Sequence, residues 1–231
     1  VAILIHGGYW RARFGLDLMH TLAQDLAGRG IAAWNIEYRR VGNPGGGWPG
    51  TFLDVANAVD FLREVAAPYA LDLHHVVPVG HSAGGHLACW LAARSHAHVL
   101  RSLDTGKEPL AFSGAISLAG VLDLHLAYEL HLSNDAVVEL LGASPTDAPA
   151  RYTAASPASL LPLGIPQVLI HGTADTHVPL QVSQRYASLA RAAGDTPGYF
   201  EPEGVDHFDV INPQTAVWEL IVQQLQALLK A

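Results

Sequence analysis

Val76-Val-Pro-Val-Gly80-His-Ser82-Ala-Gly84-Gly-His-Leu-Ala-Cys-Trp-Leu-Ala-Ala93 is the stretch that decides how this chain folds. It opens on a short apolar run, Val76–Val79, bounded by a turn signal, which predicts a buried strand. From Gly85 the pattern turns helical and runs to about Arg94. Between the two lies Gly80-His81-Ser82-Ala83-Gly84, a match to G-x-S-x-G. That motif holds a serine on a sharp strand-to-helix turn whose strained backbone accepts only small neighbours. The helix that starts there offers partial positive charge to an anion forming beside the serine. Ser82 is therefore the candidate nucleophile, and the Ala83 N–H a candidate oxyanion donor. The same five letters arise by chance in glycine-rich turns; here the strand before and the helix after them carry the reading.

Outward from this turn, strands and helices alternate along the chain, which predicts an α/β fold with a mostly parallel sheet. Strands are expected at Val1–Ile5, Ile31–Ile36, Ala115–Leu118, Gln167–Ile170 and Thr196–Phe200. Helical spacing runs over Leu16–Ala27, closed by Gly28 and Gly30, and over Leu180–Ala193 and Thr215–Leu229. Phe52–Val65 also reads as a helix, with Phe52, Val55, Ala56, Val59, Phe61 and Leu62 on its apolar face. Asp54, Asp60 and Glu64 are expected on its solvated face. Residues 121–160 show helical pieces, Ala136–Leu141 among them, and no clear strand. The expectation is one domain over 1–231, with about 121–160 inserted as a small cap above the sheet.

Two further loops complete the candidate site. Val1–Ile5 runs into His6-Gly7-Gly8-Tyr9-Trp10, and a glycine pair after a strand can turn N–H groups toward an anion. Gly8 and Tyr9 are the candidate second and third oxyanion donors. Where a nucleophile sits on such a turn, the acid and the base follow in the order Ser, Asp or Glu, His. Val168-Leu-Ile-His171 leads to Gly172-Thr-Ala-Asp175, which nominates Asp175. Gly204-Val-Asp-His207-Phe208 follows the next strand and nominates His207 as the base. Asp206 and Asp209 compete as acids but adjoin His207 in sequence. His171 and His177 compete as bases but flank Asp175 on its own loop, and His171 reads as a strand-end residue.

The remaining features narrow the class. The 231 residues suffice for one α/β domain with a sizeable core, and half of them are hydrophobic. The formal net charge of −8 argues against nucleic acid or an anionic membrane as partner. The single cysteine, Cys89, rules out an intramolecular disulfide and reads as a small buried helix residue. No apolar run is long enough to span a bilayer. His6, His81 and His86 are expected to pack and hydrogen-bond around the turn. His96 and His98 lie in a polar stretch, and no metal-ligand spacing is recognisable, so no metal or other cofactor is expected. Tyr9, Trp10 and Trp48 are candidates for an apolar pocket, with core packing an equal alternative. The chain opens on a strand without an initiator methionine, so its natural beginning is expected upstream; the location is expected to be cytoplasmic.

Taken together, His6-Gly-Gly-Tyr-Trp10, Gly80-His-Ser-Ala-Gly-Gly-His86, Asp175 and His207 resemble the esterase branch of the α/β-hydrolases. That branch includes kynurenine formamidase (arylformamidase) and the hormone-sensitive-lipase-like carboxylesterases. The likeness runs from residue 1 to about residue 210. Lipase-like members carry a third glycine where Tyr9 stands, and Tyr-Trp there looks more like the formamidase group. The resemblance implies a serine hydrolase with a Ser82–His207–Asp175 triad and strands placed ahead of Val1. Its implied substrate is a small ester or an aryl formamide such as N-formylkynurenine. A non-catalytic scaffold or receptor of the same fold is the alternative from another class.

Overall fold

The computed structural model describes residues 1–94, 103 and 105–230. Six strands form one sheet: β1 (Ala2–Ile5), β2 (Ala33–Ile36), β3 (Val77–His81), β4 (Ala115–Leu118), β5 (Gln167–Ile170) and β6 (Gly198–Phe200). Their order is β2-β1-β3-β4-β5-β6 and every pair is parallel. Parallel neighbours need crossovers, and the helices α1 (His20–Gly28), α2 (Gly50–Asp60), α3 (Leu62–Val65), α4 (Ala83–Ala92), α8 (Gln181–Ala192) and α9 (Ala216–Leu228) lie between and after the strands. This is the α/β-hydrolase architecture, a parallel sheet flanked by helices.

The strands are apolar on both faces because both are covered. In β1 the alternation is visible residue by residue. Ile3 and Ile5 enter one core with Phe52, Val55 and Val59 of α2, Leu87 of α4 and Tyr186 of α8. Ala2 and Leu4 enter the other with Leu22 and Leu26 of α1 and Trp218 and Ile221 of α9. The expected elements occur, with ends shifted by a few residues. Leu16–Met19 is a 3-10 turn ahead of α1 rather than part of it.

One expectation is corrected. The helix foreseen over Phe52–Val65 breaks into α2 and α3 at Phe61, which is 42% exposed and stacks on Trp34 instead of facing the core. Asp60 is not solvated. Its carboxylate is buried and receives the Arg94 guanidinium at 2.8 and 3.1 Å. A buried carboxylate demands such a partner, since an unpaired one is prohibitively costly. Asp54 pairs with Arg39, and Glu64 with Lys107 at 3.5 Å.

Residues 121–160 contain α5 (Leu124–Glu129), α6 (Ala136–Leu141) and α7 (Pro149–Ala155), with no strand between them. Asp123 caps α5 by accepting from the His125 and Leu126 amides. Arg11, next to the loop after β1, reaches Glu139, the Ser133 hydroxyl and the Ser133 carbonyl. Among the described residues no helix is long and apolar enough to cross a membrane. His96 and His98 lie outside the described residues.

Candidate active site

The strand order reverses between β1 and β3, and the crevice beyond the carboxyl ends of those strands is where open parallel sheets bind ligands. Ile5 pairs with Gly80 across this boundary, so the loops after β1 and β3 emerge side by side. Ser82 sits at the crest of the second loop with φ 56° and ψ −120°. This strain for a residue with a Cβ is held by packing from all sides. Residues 76–94 are buried throughout.

The motif glycines are required by contact. A Cβ on Gly84 would lie 2.0 Å from the Ile5 carbonyl oxygen, and one on Gly80 would lie 2.0 Å from the Gly84 carbonyl oxygen. Gly7 presses on the turn from the other side, where a Cβ would meet Ser82 Cβ at 2.9 Å. The His-Gly-Gly loop therefore lies directly against the serine. Gly8, Tyr9 and Trp10 all adopt positive φ. Among the described residues, the amides of Gly8, Tyr9 and Ala83 donate to no carbonyl or side chain of the protein. Ala83 opens the ten-residue helix α4, whose positive end adds to its donor strength.

Asp175 and His207 come together after β5 and β6. The Asp175 Oδ2 accepts from His207 Nδ1 at 2.6 Å and approaches His171 Nε2 at 3.2 Å. Its Oδ1 accepts from the His177 and Val178 amides at 2.8 and 2.9 Å. Burial alone would push this carboxyl up, but the bonds from His171 and His207, aided by Val178, outweigh it and hold the group well below the usual carboxylate range. The anion fixes the proton of His207 on Nδ1. Among the described residues, Nε2 of His207 and the Ser82 hydroxyl have no protein partner, so both are free to meet a substrate and each other.

The neighbouring histidines serve the frame. His171 bonds Ser183 and the Val178 carbonyl, the strand-end role expected of it. His81 donates from Nε2 to the His207 carbonyl at 2.8 Å, and burial, with His207 nearby, lowers its pKa to about 3. His86 accepts from Trp10 Nε1 at 3.2 Å and donates to the Ala155 carbonyl; burial lowers its pKa to about 4. His6 stacks on Tyr38 and bonds Glu37. Asp206 and Asp209 are absorbed in the turn around His207, where they accept the amides of Phe208, Asp209 and Asp206. His177 stacks on His207 at 5.0 Å, and Tyr9 donates its hydroxyl to the His177 carbonyl at 2.6 Å. Among the described residues no three His, Cys, Asp or Glu side chains converge as a metal site.

Ser82 and His207 open on one cavity of about 320 Å³. Gly8, Tyr9, His81 and His177 line it as well. Arg13, Phe14, Leu18, Ser133 and Phe208 complete the wall, and no sequence motif singled these out. Trp10 and Trp48 do not line it, which corrects the pocket expectation. Trp10 is 1% exposed and turned into the core toward His86, and Trp48 packs edge-on against Phe52.

The BD-FAE family model matches residues 1–189. The chain belongs to the BD-FAE family. The matched span includes the His-Gly-Gly loop, Ser82 and Asp175, and His207 lies beyond it. Esterase LipQ of Mycobacterium tuberculosis is 29% identical over 219 residues, which are 91% of this chain and 50% of that protein. A probable isoprenylcysteine alpha-carbonyl methylesterase, ICME, of Oryza sativa subsp. japonica is 27% identical over 199 residues, 82% of this chain and 47% of that protein. The BD-FAE chain described here thus spans about half the length of the curated relatives it matches. Among solved structures, Esterase B from Lactobacillus rhamnosis superposes with a TM-score of 0.84 at 22% identity, covering 99% of this chain and 76% of that one. A truncated carbohydrate esterase from gut microbiota gives 0.81 at 20% identity, covering 100% and 86%. The family match and the shared fold put the BD-FAE chain in the α/β-hydrolase superfamily, beside relatives described as esterases.

Proposed function

We propose that this chain is a serine hydrolase that cleaves small carboxylic esters through an acyl-enzyme. The observation that carries the reading is the 2.6 Å bond from His207 Nδ1 to Asp175, which leaves Nε2 bare at a cavity that Ser82 shares. The Ser82 oxygen attacks the ester carbonyl while His207 Nε2 takes its proton, and the Asp175 anion stabilises the imidazolium. The amides of Gly8, Tyr9 and Ala83 hold the oxyanion, and losing one such donor costs about 3 kcal/mol of transition-state stabilisation. The imidazolium then protonates the departing alcohol. Water, deprotonated by the same Nε2, attacks the acyl-Ser82 ester, and collapse of the second tetrahedral intermediate frees the acid and restores the serine.

The cavity's size and its Tyr9, Phe14, Leu18 and Phe208 lining suit a small, partly apolar substrate. Residues 121–160 act in this reading as a cap. They contribute Ser133 to the cavity wall and are tied to the loop after β1 through Arg11. The relatives named above are described as esterases, which supports an ester over a formamide.

The test is hydrolysis of p-nitrophenyl acetate and butyrate beside N-formylkynurenine, with Ser82→Ala as control. Ester turnover that falls on the order of 10⁴-fold or more in the variant is expected. Dominant formamide turnover would move the chain to the arylformamidases. No Ser82-dependent turnover of either would favour a non-catalytic scaffold or a substrate outside these two classes.

A further inference from the structure

Resting on that hydrolase reading, we propose that the substrate carries a carboxylate, and that Arg13 is the specificity-determining residue that receives it. The cavity wall is chemically lopsided. Arg13 lines it together with Ser82 and His207, and among the described residues no Asp or Glu side chain does. Asp175 lies beneath His207 with its side chain fully covered, so its charge is spent on the imidazole.

Arg13 differs from most of the described arginines in the way it is held. Arg11, Arg29, Arg39, Arg40, Arg94 and Arg185 each reach a carboxylate. The guanidinium of Arg13 has no carboxylate or carbonyl partner among the described residues. It lies instead 5.4 Å from the centroid of the Phe14 ring. Stacking on an aromatic face holds an arginine in place and leaves its N–H donors unspent. Phe14 is fixed in turn, because its ring packs on Gly8, where a Cβ would meet Phe14 Cδ2 at 2.8 Å. The cation is thereby anchored, through one aromatic ring, to the loop that supplies the oxyanion donors.

A planar fork of free donors on a cavity wall matches a carboxylate, which it can bind through two parallel hydrogen bonds. The chain's net charge of −8 repels anions in bulk, so the Arg13 cation selects an anionic ester locally rather than by general attraction. The matching substrate is a small ester with one carboxylate, placed either on the acyl chain or on the departing alcohol.

Two matched pairs decide it and separate the two placements. On the acyl side, phenyl hydrogen glutarate is compared with phenyl 4-carbamoylbutyrate. On the alcohol side, 3-carboxyphenyl butyrate is compared with 3-carbamoylphenyl butyrate. The charged member of one pair is expected to be preferred about tenfold in kcat/KM, chiefly through KM, or about 1.4 kcal/mol. The preference should shrink toward unity in Arg13→Gln, return in part in Arg13→Lys, and weaken with added salt. Ratios near one in both pairs, or a ratio that survives Arg13→Gln, overturn the proposal. Calorimetric binding of the same esters to Ser82→Ala protein, with and without Arg13→Gln, reads the subsite independently of turnover. If no ester is hydrolysed yet the charged one binds more tightly through Arg13, the hydrolase reading fails and the anion site stands. If esters are hydrolysed and Arg13 makes no difference in either assay, the reverse holds.

Discussion

The two halves of the site are held by different forces. The elbow between β3 and α4 is positioned by contact: residues 76–94 are buried, and the glycines at 80 and 84 exist because backbone oxygens sit where their Cβ atoms would be. The loops that carry Asp175 and His207 are mostly exposed and are positioned by hydrogen bonds. Thr173 and Ala174 donate to the carbonyls of Pro202 and Val205, Gly204 donates to the Thr173 hydroxyl, and Asp175 collects four donors. The difference suits the proposed chemistry. A nucleophile needs one fixed address, and close packing enforces it. A base needs a fixed tautomer and charge balance, which only polar partners provide.

The sharpest way to break the packed half is Gly84→Val. Its Cβ would overlap the Ile5 carbonyl, and the cost should exceed about 4 kcal/mol, so that little folded protein is recovered. Circular dichroism and thermal melting of the variant check this, and a well-folded Gly84→Val protein would dissolve the contrast. Breaking the polar half should do the opposite. Asp175→Asn retains the side chain's size but loses the anion, so turnover should drop about 10⁴-fold while the protein still melts cooperatively.

A pH series tests how dry the packed half is. His81 and His86 titrate at about 3 and about 4 when folded, against an ordinary value near 6.5. Below pH 6.5 the unfolded chain binds protons that the folded chain refuses. Stability should therefore fall as pH drops from 6.5 toward 4, by up to about 1.4 kcal/mol per pH unit for each histidine. Urea melts at stepped pH read the slope, and His86→Gln should make it shallower. Above pH 6.5 these two groups contribute no slope.

Smaller effects probe the seam between the halves. The Tyr9 hydroxyl ties the loop after β1 to the His177 carbonyl, and Tyr9→Phe should cost about 1 kcal/mol of stability. A several-fold fall in kcat with little change in KM should accompany it; an unchanged kcat would show that the loop holds its shape unaided. Arg11→Ala severs the partly exposed links to Glu139 and Ser133 and should cost less than about 1 kcal/mol. Its effect should appear mainly in KM, if residues 121–160 cover the substrate.

Legibility in the sequence followed the same division. Strand cores such as Ala115–Leu118 and Gln167–Ile170 were readable because a strand buried on both faces is a plain apolar run. Phe61 and Asp60 were misassigned because helical spacing says which face is apolar but not that Phe61 interrupts the helix or that Arg94 meets Asp60. Residue type alone leaves pocket and core equally open for Trp10 and Trp48, and their surroundings decide for the core, Trp10 inside it and Trp48 packed against it.

The sequence by itself determined the parallel α/β fold and the chain order of Ser82, Asp175 and His207. These depend on local requirements, an apolar period and a turn that admits only small residues, and such requirements leave a pattern along the chain. Only the tertiary structure decided the cavity wall, with Arg13, Phe14, Leu18, Ser133 and Phe208 brought to one opening, and the bond that sets the His207 tautomer. The physical reason is that a cavity is lined from loops at the ends of several strands. Its chemistry follows from which loops meet in space, and no periodicity in the chain records that meeting.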